Sequence, residues 1–134
     1  MSEKREIHAA LAANALFYEA LAQGDGPAMG ALWATSEPVI CTHPGAATLH
    51  GRPAVMQSWD SILSAPPAVA FSDAQVAIIR GLAFVTCTEQ IGQVVLAATN
   101  VFVWEDGRWC MAHHHAGQVA ASENRGPGPG DPLH

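Results

Sequence analysis

The dipeptide Asp106-Gly107, set between two apolar segments, constrains the fold of this chain more than any other feature. Asp-Gly in that setting is typical of a two-residue β-hairpin turn. For a type I′ turn, counting outwards gives the paired residues: Glu105 with Arg108, Trp104 with Trp109, Phe102 with Met111, Asn100 with His113, and Ala98 with His115. One face of this hairpin begins with aromatic rings and ends with an amide and two imidazoles. A sheet built only for packing would not usually end in that way.

The opposite face of the same hairpin is also apolar. It carries Val101, Val103, Cys110 and Ala112, and the alternation of side chains places His114 there as a surface or dimer-interface residue. An apolar face that does not line a pocket needs another cover, or it would remain an exposed patch liable to aggregate. The pattern therefore predicts a homodimer.

The first third of the chain predicts two helices. Ser2 and Glu3 start the first, which runs through good helix formers to Gln23 and stops at Gly24. On it, Asn14 and Tyr18 share a stripe with the apolar residues Ile7, Leu11 and Leu21. Asp25 caps a short second helix, which has Pro27 in its first turn and Trp33 near its end.

A short strand and a third helix follow. Val39–His43 is rich in β-branched residues and ends at the turn Pro44-Gly45, so that His43 lies at a strand end. Gly51 and Pro53 open the third helix, which extends to about Ser64 and carries Trp59 on its apolar stripe.

From Val69 onward the apolar period changes to that of strands. Four strands are joined by short turns at Arg80-Gly81, Gly92-Gln93 and Asp106-Gly107, which predicts an antiparallel meander. A two-residue loop at Gly92-Gln93 pairs Glu89 with Leu96 and brings Glu89 to the face of Asn100, although a bulge would reverse that assignment. The element order predicts an α+β fold, in which a curved antiparallel sheet carries helices on one face.

Composition excludes several classes of protein. The 134 residues suffice for one domain that needs no metal or disulfide to fold. With one Lys, five dispersed Arg and a net charge of −6, the chain has no basic stripe for nucleic acid. No apolar segment reaches membrane-spanning length, and three scattered cysteines fit reduced thiols, so we expect a cytoplasmic protein. Only 13% of residues are charged, which again favours a subunit interface.

The C-terminal segment differs from the rest. Residues 122–134 are rich in Gly and Pro and have no apolar periodicity, which predicts a disordered tail that can be removed without loss of stability. The folded domain is accordingly expected to span residues 1–121.

Six motifs, in order over residues 9–116, resemble the SnoaL-like branch of the nuclear-transport-factor-2-like (ketosteroid isomerase-like) superfamily. They are FYEALAQGDGPAMGALWA, VICTHPG, GRPAVMQSWDSIL, FVTCTEQI, ATNVFVWEDGRW and MAHHHAG. The resemblance implies a cone in which a bent sheet and three N-terminal helices enclose one pocket, and a homodimer formed through the outer sheet face. His113 and His115 match the His-x-His of related last strands, whereas Gly117 replaces their Ser. The short strand offers His43 where the isomerase branch has a carboxylate, which argues against steroid isomerisation.

The resulting pocket hypothesis is acid–base chemistry on a small, partly apolar substrate. The candidate catalytic residues are His43, Glu89, His113 and His115, with no cofactor. Asn100 would donate a hydrogen bond to a substrate carbonyl or enolate oxygen. Tyr18, Trp33 and Trp59 would line an apolar wall.

Other interpretations remain open at this stage. Each histidine can be a structural residue hydrogen-bonded to backbone or Glu89, and the aromatic residues can simply be core. The domain can then be an isomerase-, cyclase- or dehydratase-like enzyme, or a non-catalytic ligand-binding and dimerisation domain. A third alternative is a metal site formed by His43, His113 and His115.

Overall fold

The computed structural model describes residues 2–120 of the chain, so the predicted tail lies outside the described residues. It contains three helices and six strands in the following order: α1 (Glu3–Gln23), α2 (Gly26–Leu32), β1 (Ile40–Thr42), β2 (Leu49–His50), α3 (Arg52–Leu63), β3 (Ala70–Ile79), β4 (Leu82–Ile91), β5 (Val94–Glu105) and β6 (Arg108–Gln118). The α+β class, the helices and the meander are as predicted, whereas the two-residue strand β2 was not foreseen. Within residues 2–120 no helix is both long and apolar enough to span a membrane.

The predicted helix ends are confirmed by their capping contacts. The Ser2 side chain accepts a hydrogen bond from the backbone N–H of Arg5, and Asp25 accepts one from Ala28. Gly24 ends α1 in the left-handed region at φ +63°, where a Cβ would lie 2.9 Å from the Leu63 carbonyl oxygen. Glycine is therefore required there, because it permits this dihedral and also lets the end of α1 approach the end of α3 closely.

The six strands form one sheet in the order β2-β1-β6-β5-β4-β3. All neighbours are antiparallel except β1 and β6, which run parallel. Helix α1 packs against β3, β4 and β6, and α3 packs against β1 and β2. The core lies between these helices and the inner face of the sheet, and its largest fully buried side chains include Phe17, Trp33, Val85, Phe102 and Met111.

The predicted pairing of β4 with β5 is confirmed. Glu89 lies opposite Leu96, Cys87 opposite Ala98 and Val85 opposite Asn100. Alternate residues of β4 from Ala83 to Glu89 are buried, and those between them are more exposed. Glu89 consequently points to the inner face, as expected.

The predicted pairing of β5 with β6 is correct near the turn and wrong beyond it. Trp104 pairs with Trp109 and Phe102 with Met111, but a β-bulge follows between Val101 and Phe102. On β6 the bulge leaves Ala112 without a partner, so the pairs shift to Val101–His113, Asn100–His114 and Thr99–His115.

The bulge exchanges the faces of the three histidines. His114 is 3% exposed and lies on the inner face, whereas His113 is half-buried and His115 exposed on the outer face. The predicted inward placement of His113 and His115, and the predicted surface placement of His114, are therefore wrong. Desolvation explains this arrangement. Burying one imidazole opposite an amide costs less free energy than burying two imidazoles of the same strand.

Candidate functional site

A cavity of about 270 Å³ lies between α1, α3, the α3–β3 connection and the inner face of the sheet. Most of its wall is apolar, and its three ionisable side chains come from three directions: His43 after β1, Glu89 on β4 and His114 on β6. The remaining lining residues are Leu21, Pro44, Trp59, Ser61, Ile62, Ala65, Pro67, Val69 and Ile91. An apolar cavity with a few convergent polar groups is the usual form of a small-molecule site.

Glu89 is held in this wall by Tyr18. The carboxylate is 3% exposed, and its Oε2 accepts a hydrogen bond of 2.6 Å from the Tyr18 hydroxyl. Burial raises the pKa of Glu89 above its ordinary value, and the hydrogen bond from Tyr18 partly offsets this rise. Burial and the nearby Glu89 charge also raise the pKa of Tyr18, so the phenol keeps its proton and acts as a donor.

A buried amide network fixes the orientation of His114. Asn100 Nδ2 donates to Asn14 Oδ1 at 2.8 Å and to the Tyr18 hydroxyl at 3.2 Å. Asn100 Oδ1 lies 2.6 Å from His114 Nδ1 and can only accept. His114 therefore carries its proton on Nδ1, and in the neutral ring Nε2 is an unprotonated acceptor. Within residues 2–120, Nε2 has no hydrogen-bond partner.

The tautomer of His43 follows in the same way. The Ser58 hydroxyl uses its hydrogen on the Val55 carbonyl oxygen at 2.6 Å, so it can only accept from His43 Nε2 at 2.9 Å. Neutral His43 thus leaves Nδ1 unprotonated, and the one polar contact of this nitrogen within the described residues is with the Cys41 thiol at 3.9 Å. The ring packs edge-on against Trp59, with centroids 4.7 Å apart.

Both imidazoles in the cavity wall are uncharged at neutral pH. Burial, and then the charges that His43, His113 and His115 would carry, lower the pKa of His114 to about 3. Burial also lowers the pKa of His43. The lining contains no Lys or Arg, and Glu89 is its one carboxyl group, with a pKa that burial raises.

The structure brings together some of the predicted site residues and separates others. Glu89, His43 and Trp59 line the cavity as expected. Tyr18 and Asn100 lie behind the wall, so Tyr18 does not line the cavity as expected. Both amide hydrogens of Asn100 are donated to Asn14 and Tyr18, so they are not available for the expected hydrogen bond to a substrate oxygen. Trp33 does not line this cavity; its ring centroid is 6.5 Å from that of Trp59 in the core.

The predicted three-histidine metal site is not formed. His113 and His115 face away from His43 across the sheet, and residues 2–120 contain no group of three His, Cys, Asp or Glu side chains placed to hold a metal ion. Burial raises the pKa of Cys41 to about 12 and also raises that of Cys87, so neither thiol is activated as a nucleophile.

Sequence reasoning missed His114 as a lining residue, and it missed the partners that fix both tautomers. Strand alternation alone could not identify His114, because the bulge at Ala112 carries no Gly to mark it. Asn14 was recognised as core-facing from its helical stripe, but its bond to Asn100 spans 86 positions of the chain.

Comparison with known proteins places this geometry in a family. The model of the SnoaL-like domain matches residues 10–121. The chain is 30% identical to a candidate dehydratase of the NTF2-like family from Streptomyces avermitilis, with a TM-score of 0.83 and coverage of 90% of this chain and 100% of that one. A candidate ketosteroid isomerase from Parabacteroides distasonis shares the fold at 19% identity, with a TM-score of 0.65 and coverage of 80% and 85%.

Similarity also extends to proteins with other names. A candidate calcium/calmodulin-dependent protein kinase type II association domain from Thiobacillus denitrificans is 30% identical, with a TM-score of 0.68 and coverage of 81% of this chain and 94% of that one. The F-box protein SKIP8 of Arabidopsis thaliana is 29% identical over 114 residues, which are 81% of this chain but only 48% of that protein. The chain thus spans about half the length of this relative. It belongs to the SnoaL-like family of the nuclear-transport-factor-2-like superfamily.

Proposed function

We propose that the cavity is the active site of a proton-transfer enzyme of the dehydratase or isomerase type, acting on a small, largely apolar carbonyl compound. The observation that carries the proposal is the convergence of Glu89, His43 and His114 on one apolar cavity. A buried carboxyl group beside neutral imidazoles is suited to moving a proton without binding a charged substrate.

Glu89 is the proton carrier in this proposal. Burial shifts its pKa upward, towards the pH at which the protein would work, and this improves a carboxylate as a general base. It removes a proton from the carbon next to the substrate carbonyl. Protonated Glu89, which can exchange its proton with solvent while the substrate is bound, then donates a proton either to a carbon, which gives exchange or isomerisation, or to a hydroxyl group that leaves as water, which is dehydration. Tyr18 keeps Glu89 oriented through its 2.6 Å hydrogen bond.

The two imidazoles orient the substrate. His114 has a pKa of about 3, which makes it a weak base but a neutral hydrogen-bond acceptor over the whole physiological range. Trp59 supplies part of the apolar wall. Similarity to the candidate dehydratase of S. avermitilis supports this class of reaction.

Exchange of carbon-bound hydrogen for deuterium tests the proposal without knowledge of the product. A panel of small cyclic ketones and hydroxy ketones would be incubated with the protein in D₂O, and loss of the hydrogens next to the carbonyl followed by NMR. We expect catalysed exchange for at least one member of the panel. Glu89→Gln, which keeps the shape and can still accept from Tyr18, should lower that rate by a factor of about 100 or more.

The matched control is His115→Gln on the outer face, which should exchange the substrate at the wild-type rate. Exchange that is equally fast in Glu89→Gln would refute the role of the carboxylate. Absence of exchange throughout the panel, together with ligand binding in the cavity, would favour the second candidate function.

That second candidate is a non-catalytic ligand-binding domain. It is favoured by similarity to the candidate kinase association domain, which is as close in sequence identity as the candidate dehydratase. It also accounts for the two lining imidazoles, His43 and His114, whose lowered pKa values keep them neutral. The deuterium-exchange experiment separates the two, because binding alone does not labilise a C–H bond.

A further inference from the structure

The hydrogen bonds of the two lining imidazoles determine which kind of polar group a ligand can present to them. Asn100 can only accept from His114 Nδ1, and Ser58 can only accept from His43 Nε2. Each neutral imidazole therefore retains one unprotonated nitrogen, which accepts hydrogen bonds and cannot donate them. At His114 that nitrogen has no partner within residues 2–120.

The opposite pair of tautomers would present donors instead, but the network excludes it. Moving the His114 proton to Nε2 would leave Nδ1 as an acceptor facing another acceptor at 2.6 Å. Reversing Asn100 to avoid this would remove its donation to Asn14 Oδ1 and would set its oxygen 3.2 Å from the Tyr18 hydroxyl oxygen, whose hydrogen is already donated to Glu89. Reversing Asn14 as well would restore the first contact but not the second. Both changes leave buried polar groups unpaired, which is costly.

The charge and the volume of the cavity further restrict the class of ligand. No Lys or Arg lines the cavity, and Glu89 is acidic, so a carboxylate or phosphate would meet no countercharge there. A cavity of 150 Å³ holds benzene, so the 270 Å³ found here corresponds to roughly ten non-hydrogen atoms.

We infer that the ligand is an uncharged, largely apolar molecule of about this size that carries a hydroxyl group, and that this hydroxyl donates to Nε2 of His114. A hydroxyl can donate to that nitrogen, whereas a ketone or ether oxygen cannot. The inference deepens the proposed function, on which it rests for the identity of the site.

Menthol and menthone test the inference, because they share one ten-carbon skeleton and differ in a hydroxyl or a carbonyl group. Calorimetric titration at pH 7 should show menthol binding at least tenfold more tightly than menthone. His114→Leu removes the acceptor and should abolish that preference while keeping the affinity for menthone. The control His115→Leu, on the outer face, should keep the preference. Equal binding of both compounds, tighter binding of menthone, or binding of neither would overturn the inference.

The tautomer is measurable without any variant or ligand. The ¹⁵N shifts of the His114 ring should show a protonated Nδ1 and an unprotonated Nε2 at pH 7, and the reverse pattern would overturn the inference even if menthol binds. Failure of the proposed function is distinguishable: menthol preference with no deuterium exchange of any ketone leaves this inference standing and removes catalysis. If the protein catalyses exchange of a ketone but does not prefer menthol, the proposed function stands and this inference is overturned.

Discussion

The buried imidazole of His114 makes the stability of this fold sensitive to acid. Its pKa is about 3 in the folded chain, against an ordinary value of 6.5. As the pH falls below 6.5, this histidine becomes protonated in the unfolded chain, whereas in the folded chain it stays neutral until about pH 3. The unfolded state then binds more protons, so the free energy of unfolding falls as the pH is lowered through this window. The contribution is fully present above pH 6.5.

His114→Gln should reduce this acid sensitivity. A glutamine amide is uncharged at every pH and can donate to Asn100 Oδ1 in place of Nδ1. Between pH 4 and 6 the slope of unfolding free energy against pH should fall by about 1.4 kcal/mol per pH unit, the equivalent of one proton. Urea denaturation at several pH values measures the slope. His43 and His113 also have lowered pKa values, so part of the slope should remain. An unchanged slope in the variant would show that His114 takes up its proton in the folded state.

At the scale of elements, local sequence signals predicted the helices, the turns and one register, but not the other. The caps Ser2 and Asp25 and the stop at Gly24 depend on atoms within a few residues, and all are found where expected. The register of β4 with β5 follows from a turn and an uninterrupted alternation, and it is also correct. The predicted register of β5 with β6 was wrong beyond the turn because that pairing depends on residues distant in the chain.

The bulge at Ala112 illustrates that dependence. Turn chemistry at Asp106-Gly107 fixes only the pairs next to it, and these were right. Further along, the parallel pairing of Cys41 with His114 and the amide of Asn100 favour one buried imidazole at this level of the sheet. Neither contact is visible in the pattern of β6 alone. Local alternation and helical spacing predicted that Glu89 and Tyr18 point inward, whereas the long-range hydrogen bonds that set the tautomers were not predicted.

At the scale of the whole molecule, the sheet has one face covered by helices and one that is not covered within residues 2–120. The outer face carries Phe84, Val101, Val103 and His113, together with a row of threonines that includes Thr86 and Thr99. None of these side chains is charged, although the whole chain has a net charge of −6. Two negatively charged copies can therefore meet at this face without placing like charges in contact.

We propose that a second copy of the chain covers the outer face, with His113 and His115 in the interface rather than in the pocket. Sedimentation equilibrium at micromolar concentration should give about twice the monomer mass of 14.0 kDa. Val101→Glu would bury a carboxylate at the centre of the face and should shift the equilibrium to monomer. The matched control, Val94→Glu at an exposed site beside the β4–β5 turn, should leave the mass unchanged. A wild-type monomer would contradict the proposal.

The proposed chemistry depends on which imidazole faces the cavity, and exchange of the ring C2 hydrogen with solvent measures the burial of each histidine separately. The reaction needs water at the ring and is slow for a buried imidazole. The Val101→Glu variant, in which no partner subunit should cover His113 and His115, would be incubated in D₂O, digested, and analysed by tandem mass spectrometry to separate His113, His114 and His115. The account predicts that His114 exchanges much more slowly than the other two, because only His114 is enclosed by the inner face. Fast exchange at His114 with slow exchange at His113 and His115 would contradict it.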